Sequence, residues 1–507
     1  MTVPRRHAAL VALALVLALA VPGAARSQSA VSNPVLPGDY PDPTVVHAGG
    51  AFYASATSAS WAPSFPVFRS RDLVRWTRVG SILRTPPAWT NGNYWAPELV
   101  RWSGRFYAFY SASRKGGRPC LGVAVAARGE GPWTDKGPVL CKPGGTIDVD
   151  PFTDADGSRW LLFKNMGTGN GLAAQRFSLR RLRTVGREHA LLGPGARWEQ
   201  GVTEGPDLVR RGGSYYLFYA GGHCCRPPCT YGEGVARAPS LLGPYVKDPH
   251  NPLLTGNTTF KCPGHGTTVD LAGRGLFLLH HAYAAGDVLD GRRSGLLDRV
   301  DFGPDGPVIA GGAGPAASAP APLGTAGAPA PAGFTDGFGG TTLATGWEWP
   351  WDRAPDVRVA GGTASLRCHG ARALHFVARQ VAVDRFTARA AVVPGGAAVG
   401  LAAHGPGRLL RGIELRAGRV RAFRVAGDEV TLGPSAPAPA GARPQLLVSA
   451  TPDGTVGIYA SGDGRAFTAV DAGPAAAGAG PPTRVALSCR GRGSAGMDLV
   501  RVVPQAG

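Results

Sequence analysis

APELVRWSGRFYAFYSAS, beginning at Ala96, runs from a proline turn through an apolar stretch and a glycine turn into an aromatic-rich strand. The same order recurs in DPTVVHAGGAFYASATS from Asp42, DPFTDADGSRWLLFKN from Asp150 and GPDLVRRGGSYYLFYAGG from Gly205, with a weaker copy, HGTTVDLAGRGLFLLHHAY, from His265. The second residues of the copies, Pro43, Pro97, Pro151, Pro206 and Gly266, lie 54, 54, 55 and 60 positions apart. Each copy reads as a β-hairpin, and the intervening FPVFRSRDLVRWTRV, CLGVAVAARGEGPWTDKG and YGEGVARAPSLLGPYVKD supply a second pair of strands. Four short strands in a repeat of about 55 residues mark a propeller blade, which needs neighbours to bury both of its faces. Residues 31–310 are therefore expected to form a five-bladed β-propeller.

The rest of the chain fits an all-β reading. Its 507 residues include 75 Gly and 45 Pro, which helix interiors tolerate poorly. The segment GGAGPAASAPAPLGTAGAPAPAG from Gly311 has almost no large apolar side chain, so residues 311–332 are expected to be a linker. Beyond it, alternating runs such as LHFVARQVAV and GIELRAGRVRAFRV predict a second all-β unit over 333–505, with a β-sandwich as its expected form. Trp347, Trp349 and Trp351 alternate in WEWPW, a pattern that serves core packing or, if all three share an exposed face, a glycan.

At the N-terminus, Arg5 and Arg6 precede an apolar run and the small residues Gly23, Ala24 and Ala25. This is the three-part pattern of a signal peptide over residues 1–25, with cleavage as late as Ala30 as the alternative. The apolar run is shorter than a membrane span, so a secreted protein with no membrane partner is expected. Eight cysteines in an exported chain read first as disulfides. Pairing within sequence groups joins Cys120 to Cys141 and Cys368 to Cys489, and leaves Cys224, Cys225, Cys229 and Cys262 with two bonds of open connectivity. A zinc site from His223, Cys224, Cys225 and Cys229 is the competing reading, against which adjacent cysteines are poor ligand spacing. The net charge of +19 comes from scattered Arg rather than a basic block, so no nucleic-acid partner is expected.

In a propeller, equivalent positions at the heads of the inner strands converge on one axis. Just ahead of the recurring proline lie Asp42, then Asp148 and Asp150, then Glu204, while the fifth copy has His265. Asp before Pro commonly caps a turn. Three blades that aim carboxylates at one axis instead point to an acid and a base of split pKa, the requirement of glycosidic-bond hydrolysis.

YPDP at Tyr40–Pro43, WAPE at Trp95–Glu98, IDVDPFTDADG at Ile147–Gly157, TEGPDL at Thr203–Leu208, CPGHG at Cys262–Gly266 and GRRSGLLDRV at Gly291–Val300 together resemble glycoside hydrolase family 43, in that family's order. HCCRPPCTYGEGVARAPS, His223–Ser240, is similar to a Cys-rich stretch found in part of the family, and the C-terminal unit is weakly similar to the concanavalin-like sandwiches that often follow. The resemblance implies a secreted, inverting five-bladed glycosidase acting on arabinose- or xylose-containing plant cell-wall polysaccharide, as a monomer. It implies Asp42 as general base, Glu204 as general acid, and Asp148 as the residue that orients the acid and keeps its proton on. Asp39 is the competitor for base and Asp150 for Asp148; Asp150 is expected to cap the turn at Pro151, and Glu98 and Asp207 to be turn or supporting residues. Trp95 and Arg293 are expected to bind substrate. The resemblance further implies that His265 helps hold a structural Ca2+ at the channel centre, largely through water, with no cofactor required for the chemistry. The competing function is a non-catalytic carbohydrate-binding propeller, which would tolerate loss of the acid or base. All three carboxylates lie in the first unit, so residues 31–310 are expected to retain the chemistry alone.

Overall fold

The computed structural model describes residues 30–167, 169–287, 291–324, 333–474 and 480–505. The expected leader lies outside the described residues. Between Thr44 and Ile309 the chain forms five antiparallel sheets of four strands, each drawn from consecutive sequence. Their first strands are β1 (Thr44–Ala48), β2 (Trp95–Trp102), β3 (Thr146–Thr153), β4 (Thr203–Arg211) and β5 (Phe260–Leu271). These five touch in cyclic order, β5 returning to β1, which makes them the inner wall of a five-bladed propeller.

The aromatic-rich second strands explain why the blades cohere. Phe65, Tyr94 and Tyr110 fill the space between blades one and two, and Trp102, Phe109 and Phe163 that between two and three. Leu162, Leu217 and Tyr219 join blades three and four, and further clusters close the ring. Each interface buries large apolar surface that a lone blade would expose.

Four of the inner strands begin with a register break, between Trp95 and Glu98, Ile147 and Asp150, Glu204 and Asp207, and Gly264 and Thr267. One residue in each break has left-handed backbone: Ala96, Asp148, Gly205 and His265, at φ 41, 56, 55 and 47°. Asp42, just ahead of β1, does the same at φ 52°. This bulge is the true repeat register. It aligns Pro43, Pro97, Pro206 and Gly266 as expected, but in blade three the equivalent residue is Val149, two positions before Pro151.

Residues 311–324 depart from the expected linker. Ser318–Pro320 pairs with Ala30–Ser32, Asn257 Nδ2 donates to the carbonyls of Ala313 and Pro315, and Leu323 packs onto the core between blades five and one. Backbone hydrogen bonds, which need no large side chain, hold this strap to the propeller.

The C-terminal unit is a continuous hydrogen-bonded sheet system containing β6 (Trp347–Pro350), β7 (Thr363–Gln380), β8 (Phe386–Val393), β9 (Ala398–Gly405) and β10 (Arg484–Pro504). Strand β10 pairs with β7 along most of its length, with β9 beside its first part and β8 beside its second. Phe386, Leu401, Ile413, Val448, Ile458 and Leu487 share one core. In WEWPW, Trp347 lies in that core, Trp349 packs against it while its strand pairs with Ala62, and Trp351 packs into the propeller between blades one and two. Trp349 and Trp351 therefore bind the two units together, and the three rings present no common face to a glycan.

The described cysteines are all paired: Cys120–Cys141, Cys224–Cys225, Cys229–Cys262 and Cys368–Cys489. The zinc alternative at His223 loses its thiolates to these bonds.

Gly92 has φ +85° and sits so close to Trp351 that an added Cβ would lie 2.9 Å from the indole. Gly92→Ala is expected to destabilise the protein by about 2 kcal/mol, from left-handed strain and displacement of the ring, read as a lower urea midpoint at unchanged m.

Candidate active site

The bulge turns Asp42, Asp148 and His265 toward one end of the channel, and Glu204, next to left-handed Gly205, joins them. Gly205 serves two constraints at once, because a Cβ there would lie 2.7 Å from the His265 ring in addition to its φ of +55°. His265 Nδ1 is 3.6 Å from Asp42 Oδ1, and the imidazole also acts electrostatically on Asp148 and Glu204. Three of the sequence-predicted site residues thus surround a fourth.

Asp42 is the most heavily supported. Thr57 Oγ1 donates to its Oδ2 at 2.6 Å, Arg293 Nη1 donates to Oδ1 at 3.4 Å, and its backbone N–H donates to His281 Nδ1 at 3.1 Å. Burial works to raise this carboxyl, but Arg293 first and then His265 hold it well below the usual range. Burial in turn pushes His281 down to about 4, leaving a neutral ring stacked on Tyr231.

The other two carboxylates part in the direction opposite to expectation. Burial pushes Asp148 up to about 6, against the pull of His265 and with the help of Glu204's charge. Burial would raise Glu204 as well, yet the Lys164 ammonium 2.8 Å from its Oε2, joined by His265 and by the Tyr231 hydroxyl 2.8 Å from Oε1, brings it below its ordinary value. Of this pair Asp148 is the carboxyl that favours the proton and Glu204 the one that favours the charge.

Lys164, Tyr231, Thr57 and His281 escaped the sequence reading because they come from second strands and loops rather than from the inner-strand heads. Lys164 did carry a signal: it is a lone cation in the apolar run WLLFKN and pairs in register with Ile147, next to Asp148.

One layer deeper, two residues past each left-handed position, lie Thr44, Glu98, Asp150, Asp207 and Thr267. Thr44 and Thr267 donate to Glu98, Thr268 Oγ1 donates to Asp207, and the Leu208 N–H donates to Asp150. Burial raises all three carboxyls, Asp207 to about 6 and Glu98 and Asp150 well above their ordinary values. Asp150 is thus a member of this inner layer and not a turn cap, and Glu98 and Asp207 are its companions and not turn residues.

Thr57 and Arg293, both bound to Asp42, line a cavity of about 110 Å3 whose wall also includes Asp39, Trp61, Tyr283 and Cys225. Glu348, Gln380 and Arg484 of the C-terminal unit complete it. A larger cavity, about 830 Å3, leads away along the seam between the units past Trp61, Phe376, His404 and Arg408. Asp39 stands at this rim, receiving the Arg293 N–H at 3.5 Å and facing Arg484 at 3.6 Å, away from the carboxylate cluster. Trp95 is half-buried at the head of β2, at the position that Glu204 takes in blade four.

No three His, Cys, Asp or Glu among the described residues converge as metal ligands. An ion held at His265 would therefore take the rest of its coordination from water, as the family resemblance implies.

Residues 31–308 match the model of the family described as Glycosyl hydrolases family 43. A xylosidase/arabinosidase 43B of Humicola insolens is 32% identical over 275 residues, covering 49% of this chain and 48% of that protein. An extracellular endo-alpha-(1->5)-L-arabinanase 1 of Bacillus subtilis is 29% identical over 269 residues, covering 48% of this chain and 80% of that protein. In fold, the chain is similar to the crystal structure of xylan beta-1,4-xylosidase from Bacillus halodurans C-125, with a TM-score of 0.80 at 23% identity and coverage of 93% and 99%. The chain spans about half the length of the first curated relatives it matches.

Removing the cation beside Glu204 should raise that carboxyl toward Asp148. In Lys164→Met the Glu204 carboxyl is expected to titrate at least about one unit higher, followed by its carbon-13 shift against pH. An unmoved titration would show that Lys164 does not hold Glu204 down.

Proposed function

The chain belongs to glycosyl hydrolases family 43, and from that membership and its carboxylate cluster we propose that it is a secreted, monomeric, inverting hydrolase of arabinose- or xylose-containing polysaccharides or oligosaccharides. The observation that carries the reading is the split protonation of carboxyls gathered around His265: Asp42 is held ionised while Asp148 and Glu204 share a proton. Secretion is supported by the leader-like N-terminus and by pairing of the described cysteines. Among the described residues no helix is long and apolar enough to cross a membrane.

In this mechanism Asp42 accepts a proton from water as that water attacks the anomeric carbon. Thr57 and Arg293 fix the carboxylate's direction and keep it charged. On the other side of the sugar Glu204 delivers a proton to the leaving oxygen, and Tyr231 and Lys164 position its two oxygens. Glu204 must first be loaded, because the ion pair with Lys164 favours its anion; saccharide that weakens this pair lets the proton held by Asp148 pass to it. The water then adds from the face opposite the departing group, giving inversion. Arg293 and Trp95 are the proposed sugar contacts. The seam cavity, which shares Trp61, Asp39 and Arg484 with the smaller one, receives the rest of the chain.

Activity is expected across a screen of aryl arabinofuranosides, aryl xylosides, linear arabinan and xylan; saccharide binding without turnover of any would favour the non-catalytic propeller. Glu204→Gln should lower turnover of poor leaving groups at least about a hundredfold and of activated aryl glycosides far less, since only the former need a proton delivered. Equal losses on both would count against the acid assignment.

The shared proton also fixes the pH dependence. It is present below about pH 6 and leaves as pH rises through that value, so kcat/KM should fall on the alkaline side. Asp42, depressed well below its usual range, should give no acid limb in the working range. A pH profile of kcat/KM that rises through pH 6 would contradict this arrangement.

A further inference from the structure

The loop between Ser214–Gly221 and Gly232–Ala238 in blade four carries three cysteines and two kinds of bond. Cys229 is joined to Cys262 on β5, 33 residues away, whereas Cys224 is joined to its immediate neighbour, Cys225. These bonds act differently. A disulfide stabilises in proportion to the unfolded-chain freedom it removes, and a bridge between neighbours closes no loop and leaves that freedom almost intact. The hairpin base is already fastened, with the Thr230 N–H donating to the His223 carbonyl and the His223 N–H to Thr230 Oγ1. The effect of the Cys224–Cys225 bond is therefore local. It fuses two residues into a ring with no thiol hydrogen to donate and no free side-chain torsion to freeze on binding.

The placement of that ring gives it a use. Cys224 packs beside Tyr231, Tyr283 and Cys262, which seats the bridge against the residue that holds Glu204. Cys225 is exposed and forms part of the mouth-cavity wall. Much of that wall is polar, with Asp39, Arg293, Arg484, Glu348 and Gln380 suited to hydroxyl groups. A sugar ring also presents C–H faces, which need apolar, polarisable surface. Trp61 meets Arg484, whose guanidinium carbon is 4.1 Å from its ring centroid, so that face is taken.

We infer that the Cys224–Cys225 disulfide is a sugar-contacting wall of the mouth cavity, packing its rigid sulfur edge against a C–H face of the pentose bound there and so setting which sugars fit. This rests on the glycosidase reading above.

The test compares the full chain with Cys224→Ala/Cys225→Ala and, as a second variant, Cys224→Ser/Cys225→Ser. Steady-state kinetics would use whichever aryl pentoside the wild type hydrolyses, with inhibition by the corresponding free pentose as a measure of binding apart from turnover. The inference expects KM and the inhibition constant each to rise about fivefold, kcat to stay within about twofold, and Tm to move by less than about 2 °C. Cys229→Ala/Cys262→Ala should instead lower Tm clearly, because it releases a 33-residue closure. Unchanged KM and inhibition in a folded variant would overturn the inference. So would a loss in kcat alone, which would place the bridge's effect on Tyr231 and Glu204, or failure of both variants to fold, which would make the bridge a stability device. A wild-type chain that hydrolyses no pentoside would overturn the glycosidase reading and this inference with it; normal wild-type turnover beside an unaltered variant would remove this inference alone.

Discussion

At the head of each blade one residue adopts left-handed backbone, and the channel depends on that conformation. For an L-residue other than Gly it costs about 1–2 kcal/mol, least for Asp and Asn, whose side chains tolerate it. Its effect is to break the pleat of the inner strand, so that the residue at the break faces the axis rather than a neighbouring blade. Asp42, Asp148 and His265 occupy the position directly, and Gly205 occupies it so that Glu204 stands alongside and the His265 ring fits over its α-carbon. Support comes from the adjacent blade: Thr57 Oγ1 accepts the Ala96 N–H, and Ser111 Oγ accepts the Asp148 N–H. Strain at one strand head is thus offset by a hydrogen bond from another part of the ring.

Gathering carboxyls on one axis sets an electrostatic problem that the surrounding blades solve differently at each depth. At the mouth, Arg293 from blade five and Lys164 from blade three keep two of three carboxyls charged, and the remaining one takes the proton. Deeper, no cation among the described residues accompanies Glu98, Asp150 and Asp207, and burial leaves them with raised pKa values among threonine hydroxyls and a backbone amide. The cations therefore decide which layer is reactive: an ionised base needs a partner charge to survive burial, whereas a structural carboxyl can remain neutral.

The architecture was legible because its cause is repetitive: each blade needs an aromatic strand to face its neighbour, so the same hairpin had to be written five times. The choice of Asp148 over Asp150 followed from family resemblance, and the backbone supplies a physical reason, since Asp148 sits in the bulge and Asp150 two residues below it. Proline misled the register there because Pro151 lies within β3 instead of at the turn. The protonation pattern was not legible. It depends on Lys164, whose importance arises only when β3 and its partner strand align, and on Tyr231, brought in by a loop whose disulfide pairing spacing left open. The Ala/Pro/Gly segment hid its strap for a related reason: backbone pairing with Ala30–Ser32 leaves no mark in side-chain composition.

The carboxylates all belong to the propeller, but their setting does not end there. Arg293 holds Asp42 through its side chain and donates its own N–H to Asp39. Asp39 in turn receives Gln380 through its carbonyl, donates its N–H to the same side chain, and faces Arg484, which is paired with Glu348. Arg292, one residue before Arg293, makes an ion pair with Asp384. The segment that carries the base's cation is therefore clamped by the C-terminal unit on both sides of the chain. Removing that unit would leave Asp42 and Arg293 present yet free Asp39 and Arg292 to take water or each other as partners, and the buried Arg484–Glu348 pair shows that these charges were desolvated against the C-terminal surface. A propeller cut at residue 310 would also lose the strap that fastens Ala30–Ser32. The expectation that residues 31–310 suffice for chemistry treats the site as the sum of its carboxylates. The seam makes the placement of Arg293, the cation beside Asp42, depend on contacts from both units.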